Sequence, residues 1–201
     1  MPKSVAIFDF DHTLITGDSF MPYLAFVAGT AATAAALAKA AAALAAARAR
    51  GHKPETRTFL KSRLIRTLLG GKKIADLADA ATRAAAWQTA NKPVLDALRD
   101  HRAHGDTIVI ASGGLDLYLP AMLRAAALDV PYDALICTDI GVENGVVTGE
   151  MVNGNCVRAV KAERVKAWLD AHGPFDTGWA YGNYPHDVPM MQLVRHRIIV
   201  S

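Results

Sequence analysis

Two acidic residues near the start of the chain have the spacing of a catalytic or metal-binding pair. Asp9 and Asp11 follow Val5–Phe8, a short β-branched and aromatic run that is typical of a buried strand. Just beyond a strand end, two such side chains can converge on one point. Close carboxylates need a compensating charge, and a hard divalent cation such as Mg²⁺ supplies it. The alternative is a pair of loop residues that cap a helix.

Groups suited to phosphate follow the second apolar run, Thr107–Ala111. Ser112, Gly113 and Gly114 offer a hydroxyl and exposed backbone N–H groups just before a helical pattern, which is the composition of an anion site. An ordinary glycine-rich turn has the same composition. Lys161, near the start of a later helix, could reach a phosphoryl oxygen, although a solvated helix lysine is the alternative.

A further set of oxygen ligands lies in the segment 182–187. Asn183 and Asp187 are four residues apart in this loop and could complete a metal site. Turn formation by Asn, Pro and Gly is the alternative. His186 is not expected to be a ligand, because Mg²⁺ prefers oxygen.

The elements that must position these groups alternate between strand and helix patterns. Apolar runs separated by helical segments predict an α/β fold with a doubly wound, mainly parallel five-stranded sheet of Rossmann type. In such sheets ligands bind at the carboxyl ends of the strands, where all the candidate groups lie. The sequence between the first two strands is entirely helical in pattern. We therefore predict a core domain of residues 1–16 and 105–201 with an inserted helical cap of residues 17–104.

Composition excludes several other classes of protein. The 201 residues are 52% hydrophobic and 20% charged, which is typical of a globular chain. The net charge of +3 is spread without a basic run, so no nucleic-acid partner is expected. Two isolated cysteines favour a reduced, cytoplasmic protein. The apolar stretch 20–47 is long, but its weakly hydrophobic alanines, an internal Lys39 and a break at Gly29 argue against a membrane span.

Four motifs in order resemble those of the haloacid dehalogenase superfamily of phosphatases. Residues 9–14, Asp-Phe-Asp-His-Thr-Leu, resemble its DxDxT signature, and residues 111–114 resemble its second motif. Lys161 and residues 181–190 are similar to the third and fourth motifs. The helical insert and the stretch 143–156 resemble the phosphoserine-phosphatase-like subfamily IB, so the resemblance spans nearly the whole chain.

The resemblance implies a role for each matching residue. Asp9 would attack phosphorus and form an acyl phosphate, while Asp11 would protonate the leaving group and then activate water. Thr13 would position the loop. The phosphoryl oxygens would be held by Ser112, Gly113, Gly114 and Lys161, and Mg²⁺ by Asp9, the Asp11 carbonyl, Asn183 and Asp187.

This resemblance predicts a Mg²⁺-dependent phosphomonoester hydrolase that acts on a small phosphorylated metabolite. An amine-bearing substrate is suggested by Asp18, which occupies the place of an acidic residue facing the substrate amine, although Asp18 could instead cap the first cap helix. Arg57, Lys61, Arg63 and Arg66 could also face the site from the cap. The oligomeric state is left open.

One residue departs from the family pattern, because Asn183 stands where an aspartate is usual. An amide oxygen can still bind Mg²⁺, but one negative charge is lost, so weaker metal binding is expected. Two other functions remain open at this point. The first is a phosphotransferase that uses an alcohol as acceptor, and the second is a binding or regulatory protein that has lost activity.

Overall fold

The computed structural model describes residues 3–200, which form a five-stranded sheet, eight helices and a separate hairpin. The strands of the sheet are β1 (Ser4–Phe8), β2 (Thr107–Leu115), β3 (Ala134–Thr138), β6 (Thr177–Gly182) and β7 (His196–Ile199). They lie in the order β3-β2-β1-β6-β7, and all neighbouring strands are parallel. The structure confirms the predicted α/β fold class with its five-stranded sheet.

The central strand β1 is buried on both faces, as its continuous apolar sequence predicts. Ala6 and Phe8 pack into one hydrophobic cluster, whereas Val5 and Ile7 pack into a second cluster on the other side of the sheet. The pleat of the strand produces this alternation, because successive side chains point to opposite faces. Asp9, the next residue, therefore leaves the sheet from a rigid and fully packed strand.

Eight helices in the described part of the chain surround the sheet and form the cap, five between β1 and β2 and three after β2. The helices between β1 and β2 are α1 (Phe20–Ala28), α2 (Thr30–Ala49), α3 (Thr56–Leu68), α4 (Ile74–Trp87) and α5 (Lys92–Ala103). Those that follow β2 are α6 (Leu119–Arg124), α7 (Arg158–His172) and α8 (Val188–Met191). The break at Gly29 is confirmed, since α1 ends at Ala28 and α2 begins at Thr30.

Helix α5 packs against the core rather than against the other inserted helices. It contacts β2 and the turn after β1, and His101 on its last turn lies 3.0 Å from the Tyr181 hydroxyl of β6. Helices α1–α3 contact one another, and α4 contacts both α1 and the core helix α6. The predicted cap boundary at residue 104 stays a prediction, and α5, the last helix before it, packs on the core.

Helix α2 is long and apolar enough to cross a membrane by length and composition alone. Thr33, Ala36, Ala40 and Leu44 form its buried side, and only about 22% of the apolar window is buried. Its remaining surface consists mainly of alanine, the residue with the highest helix propensity.

The predicted break of the second strand at residues 112–114 is wrong, because β2 continues through both glycines to Leu115. The pairing of β2 with β3 shifts register between Ala111 and Leu115, which is how the strand absorbs the glycines without ending. The helix that follows β2 is short, since α6 ends at Arg124.

Residues 140–151, after β3, form an antiparallel hairpin of β4 (Ile140–Glu143) and β5 (Val146–Met151). Strand β5 packs against α3, and the backbones approach closely at Gly149. A Cβ at this glycine would lie 3.0 Å from Arg66 Cα and 3.2 Å from Gly70 Cα, and its φ is +86°. Only glycine fits this junction without displacing the cap.

Gly149→Ala is therefore expected to destabilise the protein by about 1–3 kcal/mol more than Gly145→Ala. Gly145 has a similar φ of +77° but nothing within 4 Å of the added Cβ, so it reports the backbone strain alone. Urea unfolding of the two variants measures the difference. Equal losses of stability in the two variants would contradict a close backbone contact between Gly149 and α3.

Candidate active site

The carboxylate of Asp9 is held at the carboxyl end of β1. Its backbone N–H donates to Tyr181 O at 2.9 Å, which extends the pairing of β1 with β6 by one residue. The residue is only 4% exposed. Lys161 Nζ donates to Oδ1 at 2.6 Å and Thr13 Oγ1 donates to Oδ2 at 3.1 Å, so both oxygens have fixed partners.

Lys161 lies in the first turn of α7 and is buried between two carboxylates. Its Nζ is 2.6 Å from Asp9 Oδ1 and 2.6 Å from Asp187 Oδ1. Burial disfavours the ammonium, but the charges of Asp9 and Asp187 outweigh burial and raise the pKa of Lys161 above its ordinary value. The lysine is therefore a permanent positive charge at the end of the sheet.

Asp9 experiences opposing influences on its own pKa. Burial raises that pKa to about 6, the charge of Asp187 adds to the effect, and the charge of Lys161 opposes it. The carboxyl is therefore mainly ionised at neutral pH. An ionised carboxylate that is buried and held in one position is suited to act as a nucleophile.

A tight turn over Phe10–Leu14 carries Asp11 away from the sheet and returns Thr13 to Asp9. The Ile15 N–H closes this turn on Phe10 O at 3.1 Å, and His12 adopts a left-handed φ of 56°. Asp11 Oδ1 accepts from the Ser19 backbone N–H at 2.8 Å. Burial raises the pKa of Asp11 to about 7, and the charge of Asp18 adds to that shift.

Asn183 brings the loop after β6 to the same point. Its Nδ2 donates to Asp11 O at 3.2 Å and to Asp9 Oδ2 at 3.4 Å. Its backbone N–H donates to Asp187 Oδ2 at 3.0 Å, so the turn role expected of this pair is also present. The amide group thus lies where two oxygens from the turn after β1 converge.

This convergence could hold a divalent cation. Rotation of the Asn183 amide by 180° would replace its NH₂ group with Oδ1 and turn the cluster into a set of oxygen donors, the kind that Mg²⁺ prefers. Within residues 3–200, no group of three or more His, Cys, Asp or Glu is arranged to hold a metal. Carbonyl and amide oxygens would therefore have to contribute beside Asp9, and Asp187 already bonds to Lys161 and Asn183.

Ser112 and Gly114, which the sequence predicts to bind phosphate, are buried within β2. Ser112 is fully buried, and its Oγ accepts from the Gly114 N–H at 2.9 Å. Gly114 packs against Leu119, whose Cδ1 would lie 2.8 Å from an added Cβ. Gly113, in contrast, lines a cavity with Asp9 and Lys161. The phosphate-binding roles of Ser112 and Gly114 stay predictions.

A cavity of about 400 Å³ separates the strand ends from the cap helices. The core side consists of catalytic candidates and loop residues, and helices α1–α3 form the other side. Asp18 lines this cavity, and its Oδ2 accepts from the Met21 N–H at 2.9 Å. This contact is compatible with the capping alternative for Asp18, and it leaves the carboxylate beside the cavity, so the substrate-facing role of Asp18 stays a prediction.

Lys61 joins the cap to the core across this cavity. It extends from α3 and is only 7% exposed. Its Nζ donates to Gly113 O, to Asn155 Oδ1 at 2.8 Å and to Thr138 Oγ1 at 3.2 Å. Three oxygens match the three N–H bonds of an ammonium group. Thr138 was absent from the sequence analysis, because a buried threonine in a strand has no distinguishing pattern.

The other basic residues of the cap divide into two groups. Arg57 lines the cavity, as expected. Arg66 instead pairs with Glu150 of the hairpin at 2.5 Å, and Arg63 lies over the Phe59 ring. The sequence analysis missed Arg158, which lines the cavity, pairs with Glu55 at 3.4 Å and has a φ of 50°. No sequence signal marks such a conformation in an arginine.

Comparison with known proteins places this site in a family. A family model described as haloacid dehalogenase-like hydrolase matches residues 6–192. The sequence has no significant match among curated proteins.

Solved structures share the fold. A protein of unknown function from Bordetella pertussis Tohama I is 23% identical, with a TM-score of 0.78 over 99% of this chain and 90% of that one. A phospho-aspartyl intermediate analogue of phosphoserine phosphatase is 19% identical, with a TM-score of 0.66 over 99% and 87% of the two chains. Cytosolic 5′-nucleotidase IIIB bound to cytidine is 14% identical, with a TM-score of 0.64 over 97% and 71%.

Replacing Lys61 with Met should destabilise the protein by about 1–3 kcal/mol, because Asn155 Oδ1 and the Gly113 carbonyl lose a buried donor. Urea unfolding at pH 7 measures this change. Lys53→Met, at an exposed position of the same cap, is the matched control and should have little effect. If both variants have the same stability, Lys61 does not hold the cap to the core.

The stability difference between wild type and Lys61→Met should also depend on pH. Burial lowers the pKa of Lys61 from 10.5 to about 8 in the folded protein. Below pH 8 the ammonium is charged in both states and the full cost of burying it is present. Between pH 8 and 10.5 the unfolded chain binds more protons, so the stability of the wild type should rise relative to the variant by about 2–3 kcal/mol. Unfolding curves across this range measure the change, and a difference independent of pH contradicts it.

Proposed function

Because the chain belongs to the haloacid dehalogenase-like hydrolases, we propose that it is a Mg²⁺-dependent phosphomonoester hydrolase that forms a phospho-aspartate on Asp9. The observation that carries this proposal is the placement of Asp9. Its buried carboxylate touches Lys161 at 2.6 Å and Thr13 at 3.1 Å, beside a cavity of about 400 Å³. The contacts fix a nucleophile and a neutralising charge at the same end of the sheet.

In the first step, a carboxylate oxygen of Asp9 forms a bond to phosphorus while the bond from phosphorus to the substrate oxygen breaks. Lys161 neutralises charge on the phosphoryl oxygens as they pass Asp9. The departing oxygen takes its proton from Asp11, which is held two residues beyond the nucleophile by the Ser19 N–H. The alcohol then leaves through the cavity.

In the second step, water attacks the phosphorus of the acyl phosphate. Asp11, now ionised, accepts the proton of that water, and the bond between Asp9 and phosphorus breaks. Inorganic phosphate leaves, and both carboxyl groups return to their initial states. Each step is a displacement at phosphorus for which the protein supplies positioning and charge.

The fit of Mg²⁺ to this site rests on oxygen donors. Asp9, the Asp11 carbonyl and the reversed Asn183 amide would hold the ion, and Asp187 would act through water because its two oxygens have protein partners. When bound, the ion would supply positive charge near the nucleophile and the phosphate. Because Asn183 is neutral, this donor set carries one negative charge fewer than a set with aspartate at the same position.

The volume of the cavity supports a small phosphorylated metabolite as substrate, since about 400 Å³ lies in the lower part of the range for small-molecule sites. The solved structures described as phosphoserine phosphatase and cytosolic 5′-nucleotidase also support a small phosphorylated substrate. An amine-bearing substrate depends on Asp18, which is already bonded to the Met21 N–H.

Asp9→Asn should lower phosphate release by at least about a thousandfold, because an amide cannot form the acyl phosphate. The assay compares p-nitrophenyl phosphate, phosphoserine and phosphoethanolamine with and without Mg²⁺, and wild type should also yield an acid-stable phosphoprotein after rapid quenching. Asp100→Asn, at an exposed site on α5, is the matched control. Equal activity of Asp9→Asn and wild type would rule out the covalent route.

Asn183→Asp should tighten Mg²⁺ binding about tenfold, because it adds a carboxylate to a partly buried site without changing the side-chain size. Calorimetric titration of Mg²⁺ reports this without turnover. Asn144→Asp adds the same charge in the hairpin turn, far from the strand ends, and should bind Mg²⁺ like wild type. Weaker binding by Asn183→Asp would contradict the placement of Asn183 in the metal site.

A further inference from the structure

The cap side of the cavity is an apolar wall. Its lining side chains are Phe20 and Met21 from α1, Leu37 from α2, and Leu60 and Leu64 from α3. Three helices that are separate in sequence thus each direct hydrophobic groups toward the same space. The wall lies opposite the strand ends that carry Asp9 and Lys161.

The polar cap groups that reach this cavity are largely committed to the protein. The ammonium of Lys61 bonds to three oxygens of the core, and Phe20 lies 5.3 Å from that ammonium. Asp18 caps α1 through the Met21 N–H. Arg57 is exposed at the cavity, and Arg158 of the core helix α7 pairs with Glu55 of the cap. Among these cap groups, a substrate ammonium would meet only the Asp18 carboxylate, which already accepts from the Met21 N–H.

We propose that the physiological phosphomonoester carries an apolar, chain-like group on its ester oxygen. This inference rests on the proposed phosphatase function and names the class of its substrate. The phosphate would lie at Lys161, and the chain would extend along Leu60, Leu64 and Leu37 toward the outside. Arg57 and Arg158 place positive charge where a dianionic phosphate enters.

The exposed edge of this wall is compatible with two sources of such a substrate, a free metabolite and a membrane lipid. Leu37 is 37% exposed and lies on α2, so the wall continues onto the protein surface. Between Asp18 and Glu55 the chain has no acidic residue, whereas Lys39, Arg48 and Arg50 are basic. This segment would not be repelled by an anionic bilayer. The apolar group of the substrate could therefore belong to a free metabolite or to a membrane lipid.

The test is a series of n-alkyl phosphates from ethyl to octyl, compared with phosphoserine and phosphoethanolamine. We expect kcat/KM to rise about fourfold per methylene until the wall is filled, since each buried methylene contributes about 0.8 kcal/mol. Butyl phosphate should exceed both amine-bearing substrates. A flat series, or faster turnover of phosphoserine or phosphoethanolamine than of butyl phosphate, would overturn the inference.

A variant pair tests the wall itself. Leu37→Asn should lower kcat/KM for octyl phosphate about tenfold more than for ethyl phosphate, because a polar side chain replaces part of the apolar surface. Ile74→Asn is the matched control, since Ile74 is 41% exposed and lies on α4, outside the cavity lining. Equal losses on both alkyl phosphates in Leu37→Asn would count against the wall. Thermal unfolding of both variants checks that they remain folded.

The source of the chain is resolved by comparing octyl phosphate, used as a dissolved monomer, with lysophosphatidate in phosphatidylcholine vesicles. Turnover in vesicles together with co-sedimentation supports a lipid source, whereas turnover of the dissolved monomer alone supports a free metabolite.

Failure of the phosphatase proposal is recognised separately, by absence of turnover even on p-nitrophenyl phosphate. Calorimetry then compares the binding of octylphosphonate and aminoethylphosphonate without any reaction. Tighter binding of octylphosphonate supports the inference, and the reverse order overturns it.

Discussion

The buried ammonium of Lys161, held between the carboxylates of Asp9 and Asp187, is the interaction on which the rest of the site depends. Two carboxylates this close and this deeply buried would repel each other and take up protons without a cation between them. With the lysine in place, the end of β1, the start of α7 and the loop after β6 are fixed to one point. A buried ion cluster of this kind gives precise geometry more reliably than stability.

The same constraint explains the architecture around the site. Strand β1 lies in the middle of the sheet, with β2 on one side and β6 on the other. The loop after β6 and Gly113 of β2 are therefore both next to the end of β1, where Asp9 lies. The two hydrophobic clusters on either face of the sheet keep that strand in register. The cap closes from the opposite side, and Lys61 joins it to the core through three hydrogen bonds.

Much of this arrangement can be predicted from sequence because it repeats simple patterns. The apolar runs Val5–Phe8 and Thr107–Ala111 have local signals, and the strand ends converge by the general rule for parallel sheets. Other features depend on tertiary contacts that leave no local trace. The glycines at 113 and 114 look like a strand end, yet β2 stays extended through them and pairs with β3 again at Leu115. Helix α5 has the sequence pattern of its neighbours in the insert, so its packing on β2 could not be read from the sequence. Which oxygens surround Lys61 depends on Thr138 and Asn155, which are distant from it in sequence.

The insertion of the cap between neighbouring strands has a consequence for synthesis on the ribosome. Strands β1 and β2 pair directly although about a hundred residues separate Val5 from Thr107, and β1 also pairs with β6 at Thr177–Gly182. Asp9 therefore emerges early, but Lys161 and the β6 edge emerge only after most of the chain has been translated. A nascent chain carries the nucleophile without its counter-charge, and its central strand has exposed edges that neighbouring chains could pair with. The enzyme is complete only when its last third has folded back, so premature termination leaves an inactive and aggregation-prone product.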